Sequence, residues 1–152
     1  MTDSTDRDAG LLPLDTVRMA IELEIPSDIR YIERVVELVT GQCQQLCYTA
    51  RHCALNVPVA LTEALANAIL RGNGEDPAKQ VRVSARMDFR SLVMEVSDEG
   101  AGFDIDDCTI DPTTGDNVNR EDGRGLFLMR RLMDRVERFN DHGNVVRLTL
   151  LR

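Results

Sequence analysis

The stretch Val96-Ser-Asp-Glu-Gly-Ala-Gly-Phe103 joins the end of a predicted buried strand to a polar, glycine-rich segment. Asp98 lies where the strand ends, and Gly100 and Gly102 follow it in the pattern D-x-G-x-G. A carboxylate in this position can accept a hydrogen bond from an exocyclic amine, and the glycines let the backbone pass close to a flat ligand or hinge a loop. A polar β-turn has the same composition, because Asp and Gly are ordinary turn residues. The stretch alone leaves both interpretations open.

The chain before this stretch predicts one strand and two helices. Strict alternation of apolar and polar residues from Val17 to Ile25 indicates a strand with one buried face. Apolar residues at steps of three and four predict an amphipathic helix from Asp28 to about Tyr48. A short connection, Thr49–Val57, then leads to a second helix from about Pro58 to Arg71, because proline is tolerated in a first helical turn.

Two alternating segments, Val81–Met87 and Ser91–Ser97, predict an antiparallel hairpin that ends at the quoted stretch. The segment Asp104–Asp122 lacks apolar periodicity, and we interpret it as a mobile loop; such a loop is often a functional lid, although a surface insertion looks the same. A third helix and the strands Val136–Phe139 and Val145–Leu151 complete the order β-α-α-β-β-loop-α-β-β. This order predicts an α+β, two-layer sandwich, with helices on one face of a mixed, largely antiparallel sheet.

Length and composition predict one domain, residues 13–152, after a disordered tail, residues 1–12. The net charge of −8 argues against a dominant nucleic-acid surface, which needs a basic patch. The absence of Trp and an aromatic content of 4% argue against a base-stacking platform. No signal peptide is evident, and no apolar run approaches the ~20 residues that span a bilayer. We therefore expect a cytoplasmic protein with no membrane segment and no direct nucleic-acid contact.

Four cysteines occur in the chain: Cys43, Cys47, Cys53 and Cys108. The spacing C-x3-C-x5-C is not a usual zinc pattern, although His52 precedes Cys53. Cys43 and Cys47 are one helical turn apart and fit a packing face. Reduced, buried structural thiols are the first interpretation, and a metal site is the alternative.

Three features occur in chain order and can serve one ligand. The second helix carries Glu63 and Asn67 four residues apart, the strand end carries Asp98, and Gly123-x-Gly125 opens the third helix. Glycines before a helix expose free N–H groups, which can bind an anion. Nucleotide recognition needs an amine acceptor, phosphate donors and an oxygen ligand for Mg²⁺; Asp98, the helix start at Gly125 and Asn67 match these needs. Taken singly, each feature is also typical of a solvated helix face, a turn or a helix cap.

Together, Glu63-Ala-Leu-Ala-Asn67-Ala, Asp98-Glu-Gly-Ala-Gly-Phe103 and Gly123-Arg-Gly-Leu-Phe-Leu-Met129 resemble the asparagine box and two glycine boxes of the GHKL (Bergerat-fold) ATPases. The short chain and the run Gly125–Val136 resemble one branch, the bacterial anti-sigma-factor serine-protein kinases, over roughly residues 17–151. The resemblance implies an ATP- and Mg²⁺-dependent serine/threonine-protein kinase. Such a protein would bind a sigma factor, phosphorylate a small anti-sigma-factor antagonist and form a homodimer. A module that binds ATP and switches partners without phosphorylating them is the alternative.

The resemblance also implies a role for each motif residue. Glu63 would be the general base on the attacking hydroxyl, and Asn67 would coordinate the Mg²⁺ that bridges the phosphates. Asp98 would bind the adenine amine, while Gly100 and Gly102 would start the ATP lid. The other residues implied in nucleotide binding are Arg71, Gly123, Arg124, Gly125 and Leu126, with the two glycines closing the lid over the phosphates.

Three positions keep two interpretations each. Arg71 stands where family members often carry His, and it either contacts phosphate or pairs with an acidic neighbour. Arg124 either reaches the phosphates or faces solvent. Asn73 either touches the nucleotide or simply ends the second helix.

Overall fold

The computed structural model describes residues 17–100 and 121–152, and gives only the backbone of residues 121–123. The described strands and α-helices are β1 (Met19–Pro26), α1 (Ile32–Gln45), α2 (Val57–Ala66), β2 (Gln80–Met87), β3 (Ser91–Asp98), α3 (Glu121–Leu132), β4 (Arg135–Asn140) and β5 (Asn144–Leu151). A short 3-10 turn, Ile29–Tyr31, precedes α1. The predicted tail, Gly102, Phe103, Cys108 and most of the predicted lid lie outside the described residues.

The five described strands form one sheet in the order β1-β2-β3-β5-β4. All four pairings between them are antiparallel, whereas the sequence predicted a mixed, largely antiparallel sheet. The α+β class is confirmed, and each predicted strand is present to within two residues at either end. The alternating pattern predicts strands well because one face of each is buried and the other is not.

The helices pack on one face of the sheet, and the core lies between the two layers. On β3, the side chains of Leu92, Met94 and Val96 point into this core and are at most 2% exposed. Burial of one such side chain stabilises the fold by roughly 1.5–3 kcal/mol. Asp98 follows Val96 by two residues, so strand alternation directs its carboxylate to the helix layer as well. The same periodicity that builds the core therefore places Asp98 under the helices.

The second helix is longer than predicted and runs without a break from His52 to Gly72. It consists of a π-helical segment, His52–Asn56, then α2, then a second π-helical segment, Asn67–Gly72. The predicted connection over Thr49–Val57 is wrong, because most of it is helical. Pro58 was interpreted as a helix start, but a π-helical segment precedes it. Because Pro58 has no N–H, it cannot donate an α-helical hydrogen bond to that segment.

By length and composition alone, the second helix could cross a membrane. The sequence predicted no apolar run long enough to span a bilayer, and Glu63 and Asn67 interrupt the apolar residues of this helix. In the fold, Leu61, Leu65 and Ile69 of this helix are fully buried in the core. A core helix passes the same length and composition test, so the absence of a membrane segment stays a prediction.

The sheet face opposite the helices carries charged side chains that pair across strands. The Nε of Arg82 on β2 lies 3.0 Å from the Oε2 of Glu24 on β1. The Nε of Arg147 on β5 lies 2.6 Å from the Oε2 of Glu95 on β3, and its guanidinium lies 4.9 Å from the centre of the Phe139 ring. Cross-strand pairs of this kind help to fix the register of the sheet.

Candidate functional site

A cleft between the second helix and α3 brings two of the sequence motifs together. Its volume is about 340 Å³. Its lining includes Glu63, Asn67, Leu70, Arg71, Arg124 and Gly125. Glu63 and Asn67 are one turn apart on the helix, so their side chains project from the same side. The E-x-x-x-N and G-x-G motifs, 60 residues apart from Glu63 to Gly123 in the sequence, therefore share one cleft.

Gly125 of α3 lies against the side chains of Glu63 and Asn67 on the second helix. A Cβ atom there would lie 3.0 Å from the Oε2 of Glu63 and 3.3 Å from the Nδ2 of Asn67. Both separations are tighter than ordinary van der Waals contact, so a larger residue would displace these groups. Glycine at this position keeps the Glu63 and Asn67 side chains in the cleft.

The predicted start of the third helix is wrong. The described helix spans Glu121–Leu132, so Gly123 and Gly125 lie inside it, and Glu121 and Asp122 belong to the helix instead of the predicted loop. The N–H groups at Gly125 are therefore not those of a free helix N-terminus. Glycine has a low helix propensity, which suggested a boundary, but at Gly125 the contact with the second helix outweighs that preference.

The other residues predicted on α3 and on the end of the second helix separate into two groups. Arg71 and Arg124 are exposed and line the cleft. Leu126 is only 2% exposed and packs in the core, because it lies on the sheet-facing side of α3. The implied role of Leu126 in nucleotide binding stays a prediction.

Asp98 is buried at the far end of the second helix, with 6% of its surface exposed. Its Oδ1 accepts hydrogen bonds from the backbone N–H of Gly100, at 2.8 Å, and from the Nδ2 of Asn144, at 2.9 Å. Removal from water raises the pKa of the Asp98 carboxyl above its ordinary value. The hydrogen bonds from the Gly100 backbone and from the side chain and backbone of Asn144, together with the positive charge of Arg138, lower this pKa in part.

Three glycines surround Asp98, and two of them were not predicted as site residues. A Cβ atom at Gly72, the last residue of the second helix, would overlap the Asp98 carboxylate. A Cβ atom at Gly143, which has a φ of +136°, would overlap the Asp98 carbonyl oxygen. A Cβ atom at Gly100 would overlap the carbonyl oxygen of Gly72. Glycines are common at helix ends and in turns, so no sequence pattern predicts that Gly72 and Gly143 approach Asp98.

Asn73 has a structural role in this region. Its Nδ2 donates hydrogen bonds to the Oγ of Ser27, at 2.9 Å, and to the carbonyl oxygen of Gln80, at 3.0 Å. Its Oδ1 accepts a hydrogen bond of 2.7 Å from the backbone N–H of Glu99. The side chain, 3% exposed, thus ties the end of the second helix to the residue that follows Asp98. These contacts favour the helix-end interpretation of Asn73 over direct contact with a ligand.

The cleft and Asp98 are connected by one element. Glu63 lies near the middle of the second helix and Gly72 at its end, a separation on the order of 10 Å along the axis. The π-helical segment Asn67–Gly72 lies between them. π-Helical turns inside α-helices occur frequently at functional sites. The second helix therefore separates the two ends of the candidate site. Glu63 and Asn67 lie at one end, and the buried carboxylate of Asp98 lies at the other.

Comparison with known proteins gives consistent matches. The family model described as the histidine kinase-like ATPase domain matches residues 25–150. The serine-protein kinase RsbW of Bacillus subtilis is 29% identical over 134 residues, which cover 85% of this chain and 83% of that protein. The serine-protein kinase RsbW of Bacillus pumilus is 30% identical over 138 residues, with coverage of 85% and 83%. The anti-sigma F factor of Clostridium acetobutylicum is 29% identical over 97 residues, with coverage of 62% and 66%.

Proposed function

The chain belongs to the histidine kinase-like ATPase domain family, and on this basis we propose that it is an ATP-dependent anti-sigma-factor serine/threonine-protein kinase. It binds a sigma factor and transfers phosphate to a serine or threonine of a small anti-sigma-factor antagonist. The names of the matched relatives support this proposal. The observation that carries it is the cleft in which Glu63 and Asn67 project together beside Gly125. A homodimer and a cytoplasmic location stay predictions.

In this proposal the nucleotide lies along the second helix. The adenine amine donates a hydrogen bond to the carboxylate of Asp98, and the phosphates lie in the cleft. The exposed guanidinium groups of Arg71 and Arg124 line that cleft and suit phosphate oxygens, because charge-assisted bonds from arginine to phosphate are strong and directional. For both Arg71 and Arg124, the proposal therefore adopts phosphate binding over the alternative interpretation.

The donor groups of the cleft fit an Mg²⁺ ion that arrives with the phosphates. Among the described residues no cluster of three or more His, Cys, Asp or Glu side chains could cage a metal. Mg²⁺ at nucleotide sites usually takes only one or two protein oxygens, together with water and phosphate. The amide oxygen of Asn67 would supply one of them, and the bound ion would neutralise phosphate charge.

Glu63 would act as the general base of the transfer. As the acceptor hydroxyl attacks the γ-phosphorus, its proton passes to the Glu63 carboxylate, the new O–P bond forms, and the bond from the γ-phosphorus to the β,γ-bridging oxygen breaks to release ADP. Phosphoryl transfer depends mainly on positioning and charge stabilisation, so one base and a set of cationic groups are sufficient protein machinery.

The test is phosphate transfer from γ-labelled ATP to a candidate anti-sigma-factor antagonist from the same organism, with ATP affinity measured by calorimetry. We expect Glu63→Gln to reduce transfer by roughly 100-fold or more, since it removes the base, and to keep ATP affinity within a few fold. Asn67→Ala should weaken Mg-ATP binding itself. Glu33→Gln, at an exposed acid on α1, is the matched control and should behave as wild type.

The two measurements separate the possible failures. ATP binding without transfer, unchanged by Glu63→Gln, would favour the non-catalytic partner-switch module. Absence of ATP binding would contradict both functions and indicate an interaction domain.

A further inference from the structure

Asn56, near the start of the second helix, makes a hydrogen bond to the end of α3. Its Nδ2 donates to the carbonyl oxygen of Leu132, the last residue of α3, at a distance of 2.7 Å. The last carbonyl groups of a helix have no partner within that helix, so a side chain that donates to one of them acts as a cap. Asn56 therefore caps α3 from another element, 76 residues distant in the chain.

The second helix and α3 also meet at the candidate site, where Gly125 lies against Glu63. On α3, Leu132 follows Gly125 by seven residues. On the second helix, Glu63 follows Asn56 by seven residues, so the two helices run antiparallel. Seven residues make about two helical turns and span about 10 Å, which puts both contacts on the same side of each helix. The hydrogen bond of Asn56 is thus one of two matched contacts, and the other involves the candidate base.

Other contacts of α3 constrain its position along its own axis less strictly. Leu126 and Met129 pack in the apolar core, and apolar attraction has no preferred direction. A hydrogen bond weakens steeply when its geometry is distorted. The backbone N–H of Asp134 donates to the carbonyl oxygen of Thr149 at 2.9 Å, which ties the chain after α3 to the sheet. The bond from Asn56 instead fixes α3 relative to the second helix.

Net stability does not explain the amide of Asn56 well. Its Oδ1 is buried and has no hydrogen-bond partner within residues 17–100 and 121–152. A buried acceptor without a partner destabilises a fold by at least as much as one hydrogen bond stabilises it. The orientation that Asn56 gives to α3 therefore accounts for the amide better than its contribution to the free energy of unfolding.

We propose that Asn56 is a positioning residue for phosphoryl transfer, acting through α3. Its hydrogen bond to Leu132 sets α3 along the second helix, so that Gly125 and Arg124 reach the cleft that Glu63 also lines. This inference rests on the proposed function, in which these groups surround the transferred phosphate. A displacement of about 1 Å at the reacting groups can slow a reaction by roughly 100-fold, even when its cause is distant.

The test compares the kinetics of Asn56→Leu and wild type in the full chain, with Mg-ATP and the candidate antagonist. Leucine has nearly the size of asparagine but cannot donate a hydrogen bond. We expect the rate at saturating substrates to fall roughly tenfold or more, and the KM for the antagonist to stay within about threefold. Asn56→Asp also removes the donor while keeping a polar side chain, and it covers the case in which the leucine variant does not fold.

A double substitution tests whether Asn56 acts through α3. In an Arg124→Ala background, Asn56→Leu should lower the rate by a smaller factor than it does alone, because one group that it positions is already removed. Coupling of this kind is not expected from a residue that only stabilises the fold. Multiplicative losses in the double variant would overturn the inference.

Val39→Ala on α1 is the matched control for lost stability. Val39 is fully buried, so its truncation destabilises the core, and its side chain does not line the cleft. At a temperature well below the melting of each variant, it should transfer phosphate at the wild-type rate. A wild-type rate in both Asn56 variants, or a rise in KM alone, would overturn the inference. A wild-type protein that transfers no phosphate would contradict the proposed function, and this inference with it.

Discussion

At residue 98 the fold holds a carboxylate whose pKa is raised by burial. The native state therefore binds a proton more tightly than the unfolded chain, whose Asp pKa is about 3.9. The stability that this group contributes is present below the unfolded pKa and is lost as pH rises to the folded pKa. At neutral pH the ionised carboxylate thus destabilises the fold and, in our proposal, serves the ligand.

Asp98→Asn separates these two effects. We expect the variant to be at least as stable as wild type at pH 7, because it carries no buried charge, and to bind ATP roughly tenfold or more weakly, because an amide donor can face the adenine amine. Thermal melting at pH 7 and pH 4 and calorimetry with ATP measure both quantities. The stability difference between the two proteins should shrink at pH 4. Unchanged ATP affinity would contradict the role of Asp98 in ATP binding and favour the interpretation of this stretch as an ordinary turn.

At the end of the second helix, Gly72 lies directly against the Asp98 carboxylate. Gly72→Ala puts a Cβ atom into the Asp98 carboxylate. We expect it to destabilise the protein by about 1–3 kcal/mol through overpacking and to impair ATP binding, measured by urea unfolding and calorimetry.

Gly41→Ala provides the matched control on α1. No atom lies within 4 Å of the Cβ that it adds, and Gly41 lies inside the helix. It should therefore stabilise the protein by roughly 0.5–1 kcal/mol, since alanine is the better helix former. Equal effects of the two substitutions would show that Gly72 responds to backbone preference and not to contact with Asp98.

Element boundaries were predictable where the sequence has a clear period. The strand alternation located β1, β2, β3, β4 and β5 to within two residues. The helix ends at Pro58 and Gly125 were misplaced because proline and glycine were interpreted by their local preferences. At both positions the surrounding structure decided otherwise, by a π turn before Pro58 and by close helix packing at Gly125.

At the scale of the whole molecule, the reactivity of the cysteine thiols measures how tightly α1 packs against the second helix. Cys43 is fully buried, and burial raises the pKa of its thiol to about 12. Cys53 is buried and also has a raised thiol pKa, whereas Cys47 is exposed. Iodoacetamide at pH 8 should therefore modify Cys47 in the native protein and spare Cys43 and Cys53, because the reagent attacks accessible thiolates.

Mass spectrometry of each cysteine-containing peptide measures this pattern. In the unfolded protein all three of these thiols should react. Fast native modification of Cys43 would contradict the packing of α1. The sequence had assigned this face to structural thiols, and the burial of Cys43 and Cys53 agrees with that interpretation, whereas Cys47 is exposed.

The candidate site could be predicted in part, because its motif residues are local patterns. Glu63 and Asn67 lie one turn apart, and Asp98 lies at a strand end, so each could be recognised from the sequence. The contacts of Asp98 with Gly72 and Asn144 are 26 and 46 residues distant in the chain. Such non-local contacts depend on sheet register and helix packing, which a single sequence does not specify.

The strand order has a consequence for self-association. Within the described residues, β1 and β4 are the edges of the sheet, and each has one side without a partner strand. Open edges can recruit further strands and start aggregation, and charged residues discourage this. Both edges carry such charges: Glu22 and Glu24 on β1, and Arg135, Glu137 and Arg138 on β4. These charges oppose the open-ended addition of further strands at either edge of the described sheet.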